Sequence, residues 1–408
     1  MRDLVSFTVM RSYESSRIRS LPPYIFSRVN ELKHSARQQG EDIVDLGMGN
    51  PDLPPPLHVI GKLIETVKDP RVHRYSASRG IKGLRKAIRE WYAREYSVRL
   101  DDEEVVVLIG SKEGLSHLFL AILEGGEGVI VPTPTYPSHF YSVAIAGANV
   151  ITIPLFPLDS ILKRVEEVMK EVYPPPRVLI LSFPHNPTTA TVERDFFEEV
   201  VKFARAKELL IVHDFAYAEV CFDGYEAPSF LEIPGAKDVG IEFYSLSKTY
   251  SMAGWRVGFA CGKKEVIKAL TKLKSYYDYG IFTPIQVAAI AALKGPQDYV
   301  REMRKTYARR RDILVKGLRE LGWEVEKPRA TLYVWGKIPS PYIEEGSLAF
   351  SLRLLKEAKV AVSPGIGFGE EGEGYIRFAL VENEHRIRQA IRGMRRMLRC
   401  RERLSQKG

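Results

Sequence analysis

Runs of apolar, often β-branched residues alternate with helical patterns through the middle of the chain. The runs that predict strands are residues 105–109, 128–131, 150–153, 178–182, 209–213, 241–245 and 257–261. Helical spacing is clear at residues 115–123 and 193–207, each between two of these runs. This alternation is typical of an α/β domain in which helices cover both faces of a mostly parallel sheet.

The pattern changes near residue 284. Residues 285–293 and 298–321 have helical spacing, and a strand at 332–335, another helix and a strand at 375–380 follow. This order predicts a smaller α+β domain. The first 45 residues are polar and contain Leu21-Pro22-Pro23-Tyr24, so we predict an arm that joins the smaller domain. The predicted large domain is 46–285, and the arm and small domain are 1–45 and 286–408.

The composition predicts a globular protein without a membrane anchor. The chain has 408 residues and 45% hydrophobic content, enough to bury a full core. No stretch approaches the roughly 20 apolar residues of a membrane span, and residues 1–19 contain no apolar signal core. Cys221, Cys261 and Cys400 have neither metal-site spacing nor an even count. A cytoplasmic, reducing location is therefore expected.

The net charge of +9 raises the question of a nucleic-acid partner. The basic residues are dispersed, and the densest run is 386–407. In that run apolar residues recur at helical spacing, namely Ile387, Ala390, Ile391, Met394 and Leu398. This indicates a packed helix with a solvated basic face, so no nucleic-acid partner is expected. The surplus charge favours anionic metabolites and a phosphorylated cofactor through long-range steering.

A lysine with phosphate-binding neighbours follows one predicted strand. Ser245-Leu246-Ser247-Lys248 comes directly after the apolar run, and Arg256 lies eight residues beyond the lysine. Two hydroxyls and a guanidinium would place three phosphate-binding groups around one amine. A lysine at a strand end is also often a solvated terminus, so this motif alone leaves both interpretations open.

Two further motifs end predicted strands upstream. Asn186 and Pro187 come shortly after the run at 178–182, and Asp214 and Tyr217 come shortly after the run at 209–213. Open α/β sheets bind their ligands at the carboxyl ends of strands. Taken singly, an acid at a strand end is often a helix cap, and Asn-Pro-Thr is often a plain turn.

In this order, the Asn-Pro-Thr, Asp-x-Ala-Tyr, Ser-x-Ser-Lys and Arg-x-Gly elements resemble the fold type I aminotransferases of the aspartate aminotransferase superfamily. The resemblance covers nearly the whole chain and is fullest with the bacterial glutamate–pyruvate (alanine) aminotransferases. Segments similar to that subgroup are residues 21–24, 48–52, 75–80, 110–114, 278–280 and 363–369. The resemblance implies a mostly parallel seven-stranded sheet, a smaller α+β domain, and pyridoxal 5'-phosphate as the cofactor.

The resemblance also implies roles for the residues around the cofactor ring. Lys248 would form the Schiff base with the cofactor and then shuttle the substrate proton. Asp214 would pair with the pyridine nitrogen and keep it protonated. Asn186 and Tyr217 would donate hydrogen bonds to the phenolate oxygen. Tyr136 would stack on the ring.

The cofactor phosphate would bind at the N-terminus of the helix that begins at Ser111. The other groups expected around the phosphate are Lys112, Ser245, Ser247 and Arg256. Tyr75 matches a tyrosine that reaches the phosphate from the other subunit. This match implies a homodimer with shared active sites.

For the substrate, the resemblance implies that Arg377 grips the α-carboxylate and that Gly49 and Asn186 lie beside it. No metal is expected. Some aspartate enzymes carry a second arginine for the distal carboxylate, and residues 278–282 contain none. This favours alanine and glutamate as donors, with pyruvate and 2-oxoglutarate as acceptors, and a role in alanine biosynthesis. The candidates to bind a distal carboxylate are Tyr24, Lys112 and Arg79.

Several alternatives stay open. Aspartate, LL-diaminopimelate and methionine aminotransferases use the same machinery, because few residues separate their substrates. A pyridoxal-phosphate lyase would also use Lys248 and Asp214, although Arg377 disfavours it. A regulator would need a DNA-binding domain, for which the segment before Gly47 is too short. A non-catalytic binding protein would be expected to have lost Lys248 or Asp214.

Overall fold

The computed structural model describes residues 13–23 and 25–405, with side chains up to residue 398. Tyr24, a candidate for a distal carboxylate, and the side chain of Cys400 lie outside the described residues. The strands are β1 (Val44–Asp45), β2 (Val105–Leu108), β3 (Gly128–Thr133), β4 (Asn149–Pro154), β5 (Val178–Leu181), β6 (Leu210–Asp214), β7 (Gly240–Ser245), β8 (Gly258–Gly262), β9 (Tyr333–Lys337), β10 (Val360–Ala361), β11 (Ser363–Pro364) and β12 (Tyr375–Ala379).

The large sheet has seven strands in the order β2-β8-β7-β6-β5-β3-β4. Strand β8 is antiparallel to both of its neighbours, and all the other pairs are parallel. The mostly parallel seven-stranded sheet expected from the sequence is therefore confirmed. Each of its strands overlaps one of the seven apolar runs. The edge strand β4 is partly exposed, whereas the other strands are mostly buried, and strands that are buried on both faces are continuously apolar.

Helices cover both faces of this sheet. Val105 and Val107 belong to one hydrophobic cluster, whereas Val106 and Leu108 belong to another, as the alternation of side chains along β2 requires. The α-helices are Ser16–Arg19, Ile25–Gln38, Leu57–Val67, Lys82–Glu95, Ser111–Ile122, Ser138–Ala146, Ile161–Glu171, Arg194–Lys207, Ala236–Val239, Leu246–Thr249, Lys264–Tyr277, Thr283–Lys294, Asp298–Arg319, Ser347–Arg353 and Glu384–Ser405. A sheet with helices on both of its faces confirms the predicted α/β fold class.

The remaining strands form two small sheets. Strands β11, β12 and β9 make an antiparallel sheet, and β1 pairs with β10 in parallel. The pairing of β1 joins residues 44–45 to the C-terminal part of the chain. The division at residues 285/286 stays a proposal. The helix Thr283–Lys294 crosses it and packs against Leu57–Val67 and Lys82–Glu95.

The basic segment near the C-terminus forms the helix Glu384–Ser405, which packs against Asp298–Arg319. Ile387, Ala390 and Met394 are buried there, so the prediction of a packed helix is confirmed. Within residues 13–23 and 25–405, no helix combines the length and apolar character needed to cross a membrane. Cys221 and Cys261 are buried free thiols, and burial raises the pKa of Cys221 to about 12.

Candidate active site

A cavity of about 510 Å³ opens where the large sheet meets the small one. It lies at the carboxyl ends of β5, β6 and β7, the edge at which open α/β sheets bind ligands. Twelve of the thirteen residues proposed from the sequence line this cavity, and Tyr75 does not. The twelve are Gly49, Ser111, Lys112, Tyr136, Asn186, Asp214, Tyr217, Ser245, Ser247, Lys248, Arg256 and Arg377.

Lys248 projects into the cavity from the short helix that follows β7. Its Nζ donates a hydrogen bond of 2.6 Å to the carbonyl oxygen of Gly49. Burial lowers the pKa of Lys248 to about 8, assisted by the guanidinium groups of Arg377 and Arg256 and opposed by Asp214. A lysine with this pKa supplies the neutral amine, the form that attacks a carbonyl or accepts a proton, close to neutral pH.

Asp214 is the last residue of β6, and its carboxylate is buried. Its Oδ2 lies 3.0 Å from Nε2 of His139, and Nδ1 of His139 lies 2.7 Å from the hydroxyl of Thr135. Its Oδ1 has no hydrogen-bond partner in the described part of the chain. A buried carboxylate oxygen of this kind calls for a donor from a ligand, and a protonated ring nitrogen would satisfy it.

Backbone geometry builds an anion site beside Lys248. Gly110, with a φ of +78°, precedes the helix Ser111–Ile122, whose free N–H groups favour an anion. A Cβ at Gly110 would overlap the guanidinium of Arg256, and the positive φ itself favours glycine at this position. Arg256 donates to the carbonyls of Ala253 and Ile109 at 3.1 and 3.4 Å. Together with the hydroxyls of Ser245 and Ser247, which line the same cavity, these groups form a site suited to a phosphate.

A second buried cation, Arg377, lies on the side of the three-stranded sheet. The guanidinium carbon of Arg377 lies 4.1 Å from the ring centroid of Tyr333 and 4.7 Å from that of Phe368. Its terminal nitrogens donate to Oδ1 of Asn186 at 2.7 Å and to the carbonyl of Gly47 at 3.0 Å. Its Nε has no partner among residues 13–23 and 25–405. A guanidinium held in plane by two rings is suited to bidentate binding of a carboxylate.

Several residues of the site were assigned no role from the sequence. Tyr333, Phe368 and Lys33 line the cavity, and His139 contacts Asp214 behind it. The hydroxyls of Tyr333 and Tyr217 are 2.8 Å apart. Tyr333 lies in an apolar segment and Phe368 in a glycine-rich one, and only tertiary packing brings them to the cavity.

The arm helix Ile25–Gln38 supplies one wall of the cavity. Nζ of Lys33 donates to Oδ2 of Asp45 at 2.7 Å and to Oδ1 of Asn30 at 2.9 Å. Oδ1 of Asp45 accepts in turn from the backbone N–H of Gly47 at 3.0 Å. The arm is thus tied to the loop whose carbonyls contact Arg377 and Lys248.

Two residues considered from the sequence lie apart from the cavity of their own chain. Tyr75 is 91% exposed, and its ring centroid is 5.3 Å from that of Tyr279. Arg79 donates to the carbonyl of Val105 at 3.1 Å and to Oδ2 of Asp102 at 3.4 Å. The side chain of Arg79 is therefore engaged at the edge of the large sheet and does not line the cavity.

Comparison with known proteins gives this site a family. The family model for aminotransferase class I and II matches residues 41–393. The chain belongs to the class I and II aminotransferase family. It is an enzyme, a transaminase, and enzymes of this family use pyridoxal 5'-phosphate.

Individual relatives agree with the family. The glutamate–pyruvate aminotransferase AlaC of Escherichia coli is 54% identical over 94% of both chains. An LL-diaminopimelate aminotransferase of Moorella thermoacetica is 46% identical over 94% of this chain and 98% of its own. A single mutant of Thermus thermophilus aspartate aminotransferase superposes with a TM-score of 0.87 at 31% identity, covering 95% of this chain and 100% of its own.

The residues of the cavity fit the cofactor of the family. The free Oδ1 of Asp214 suits the protonated ring nitrogen, and the helix end at Ser111 with Arg256 suits the phosphate. Lys248 lies in the same cavity with a lowered pKa, as an amine that bonds to a carbonyl requires. The aromatic ring of Tyr136 lines the cavity as well and offers a face for stacking.

Proposed function

We propose that this transaminase moves the amino group between alanine and glutamate, with pyruvate and 2-oxoglutarate as the acceptors. The observation that carries the proposal is the 54% identity to a glutamate–pyruvate aminotransferase over 94% of both chains. The lack of an arginine at residues 278–282 supports it, because one subgroup of aspartate enzymes carries a second arginine there. Such an activity would serve alanine biosynthesis.

The proposed chemistry centres on Lys248. When bound, pyridoxal 5'-phosphate supplies a carbonyl that condenses with amino groups and a ring that accepts electrons. Lys248 holds the cofactor through its amine, and once the substrate amine has displaced it, it takes the proton from the substrate α-carbon. Its lowered pKa of about 8 supports this role, because only the neutral amine accepts a proton.

Three neighbours adjust the electronics of the ring. Asp214 pairs with the ring nitrogen and keeps it protonated, which strengthens the electron sink. Asn186 and Tyr217 donate hydrogen bonds to the phenolate oxygen of the cofactor. Their burial at 4% and 5% exposure supports the proposal, because hydrogen bonds are worth more where water is excluded.

The substrate carboxylate is assigned to Arg377, with Gly49 and Asn186 beside it. The guanidinium already donates to Asn186 and to Gly47, and its free Nε faces no competing acceptor in the described structure. Lys112 is the cation we assign to the distal carboxylate of glutamate. It is exposed and lines the cavity, whereas Lys33 is neutralised by Asp45.

We further propose a homodimer in which Tyr75 reaches the phosphate in the partner's cavity. Tyr75 is outside its own cavity, and its ring contacts that of Tyr279, which belongs to a segment with several exposed aromatic rings. These rings include Tyr276, Tyr277, Tyr279 and Phe282, which are between 42% and 83% exposed. Exposed aromatic side chains of this kind are typical of a protein–protein interface.

LL-diaminopimelate is the second candidate donor. Curated aminotransferases for this substrate are 46% and 43% identical to the chain over more than nine tenths of its length. Substrate choice depends on a few lining residues, so identity in this range supports both candidates. The distal groups of the two donors differ, since glutamate ends in a carboxylate and diaminopimelate ends in a second α-amino acid group.

A panel of donors with 2-oxoglutarate tests the proposal. We expect L-alanine to give a kcat/KM at least about tenfold above those of LL-diaminopimelate, L-aspartate and L-methionine, as one set of lining contacts can provide. Lys248→Ala is the control and should be inactive with every donor. A preference for LL-diaminopimelate would replace the first candidate with the second. Activity that survives in Lys248→Ala would remove the assignment of Lys248.

A further inference from the structure

Tyr333 stands between the two halves of the site. It is the first residue of β9 and is 2% exposed. Its hydroxyl lies 2.8 Å from the hydroxyl of Tyr217, on the large-domain side. Its ring lies 4.1 Å from the guanidinium carbon of Arg377, on the small-domain side. One side chain therefore touches a residue assigned to the cofactor and the residue assigned to the substrate carboxylate.

The register of the small sheet fixes this contact with Arg377. Tyr333 pairs with Ala379 across β9 and β12, so Arg377 is its diagonal neighbour two residues away. Diagonal neighbours on one face of an antiparallel pair lie within reach of aromatic and long side chains. A residue with a side chain at position 49 would overlap the Tyr333 hydroxyl, so Gly49 leaves the space in which it stands.

The number of phenolic protons sets the direction of the hydrogen bond between Tyr217 and Tyr333. A phenol has one proton to donate and can also accept. Tyr217 can give its proton to the phenolate oxygen of the cofactor only if Tyr333 is the donor in the pair. A hydroxyl that accepts one hydrogen bond also becomes a stronger donor in the next one.

We propose that Tyr333 is a positioning residue that acts through two parts of its side chain. Its hydroxyl donates to Tyr217 and so keeps the Tyr217 proton directed at the cofactor. Its ring holds the plane of the Arg377 guanidinium for the substrate carboxylate. The first part rests on the role proposed above for Tyr217.

Tyr333→Phe removes the hydroxyl and keeps the ring. Donors to the phenolate oxygen draw electron density from it and lower the proton affinity of the group that the cofactor forms with Lys248. We therefore expect the pH midpoint of the bound cofactor's absorption band to rise by about 0.5 in this variant. We expect kcat for alanine to fall about threefold with KM nearly unchanged, because Arg377 keeps its ring contact. Tyr333→Leu removes the ring as well and should also raise KM about tenfold.

Tyr225→Phe is the matched control. Tyr225 is 6% exposed, and its hydroxyl donates to the carbonyl of Val192 at 2.7 Å, away from the cavity. This variant loses one buried hydrogen bond without touching the site, so its spectrum and kinetic constants should match the wild type. An unchanged midpoint in Tyr333→Phe, or an equal shift in Tyr225→Phe, would overturn the proposal.

A double-mutant cycle separates the inference from the proposed function. Tyr217→Phe should raise the midpoint by about one pH unit or more, because a hydrogen bond to an ionised oxygen is lost. In the Tyr217→Phe background, the further change Tyr333→Phe should leave the midpoint where it is. If Tyr217→Phe itself causes no shift, the role of Tyr217 fails and the inference fails with it. If Tyr333→Phe shifts the midpoint equally in both backgrounds, only the inference fails.

Discussion

The amine of Lys248 donates a hydrogen bond of 2.6 Å to the carbonyl oxygen of Gly49. Two residues earlier, the carbonyl of Gly47 accepts from Arg377 at 3.0 Å. The same short loop therefore holds both the reactive amine and the arginine assigned to the substrate carboxylate. The contacts with Lys33 and Asp45 tie this loop to the arm helix. The two groups are thus positioned relative to each other before a substrate binds.

The buried ammonium of Lys248 should destabilise the protein without cofactor. Its pKa is about 8 in the folded chain against an ordinary value of 10.5. Below pH 8 the lysine is protonated in the folded and the unfolded chain, so the cost of burying the charge is fully present. Between pH 8 and 10.5 the folded chain loses the proton first, so its stability rises with pH. Lys248→Met should be more stable at pH 7 by at most about 3 kcal/mol.

Chemical denaturation of the cofactor-free proteins between pH 7 and 10.5 measures this difference. The advantage of Lys248→Met should shrink across the interval and vanish at its upper end. Lys272→Met, at an exposed position, controls for the loss of a surface charge. An advantage that stays constant with pH would show that the effect comes from packing and not from the buried charge.

Asp214→Asn should nearly abolish turnover. An amide cannot keep the ring nitrogen protonated, so the electron sink at the carbanion is lost, and we expect kcat to fall on the order of 10³-fold. The substitution preserves shape, so the variant should keep the thermal stability of the wild type. Pre-steady-state measurement of α-proton loss from alanine tests the prediction. A rate within tenfold of the wild type would contradict it.

Arg377→Lys should weaken every amino-acid substrate to a similar degree. A lysine keeps the charge but cannot form two parallel hydrogen bonds or lie flat between the rings of Tyr333 and Phe368. We expect KM for alanine and glutamate to rise about 100-fold, which corresponds to two or three lost kcal/mol. Ethylamine, which lacks the carboxylate of alanine, is the matched probe. If the variant reacts more slowly with ethylamine by the same factor, Arg377 does not act on the carboxylate.

Tyr75→Phe should weaken cofactor binding although Tyr75 does not line its own cavity. In the proposed dimer its hydroxyl donates to the phosphate in the partner's cavity, and losing a hydrogen bond to a charged group lowers affinity by about tenfold or more. Titration of the apoprotein with pyridoxal 5'-phosphate gives the dissociation constant. Tyr276→Phe is the control, since Tyr276 is 83% exposed and does not line the cavity. Equal constants in both variants and the wild type would remove Tyr75 from the proposed site.

The strands of the large sheet and most of the cavity could be predicted from the sequence, for a common physical reason. Continuous apolar runs mark buried parallel strands, and motifs that follow such runs converge at one edge of the sheet. Asn186, Asp214 and Lys248 follow three neighbouring strands and meet there. The two-residue strands β10 and β11 carried no signal, because two residues cannot show a period.

Residues that reach the cavity through tertiary packing could not be predicted. Tyr333 lies in an apolar segment, and the sequence indicates a core strand there and nothing more. Lys33 lies in the polar arm, and a lysine in such a segment usually faces water. His139 lies behind Asp214, and its contact depends on how the helix Ser138–Ala146 packs on the sheet. Each of these positions is decided by tertiary contacts between segments far apart in the chain.

In the proposed function, the enzyme transfers an amino group in two half-reactions at Lys248. Mixing the yellow holoenzyme with alanine alone, without an acceptor, tests it most directly. We expect the visible band to disappear while one pyruvate forms per active site, without ammonia, and we expect 2-oxoglutarate to restore the band. A band that alanine leaves unchanged, or one equivalent of ammonia released with the pyruvate, would contradict transamination.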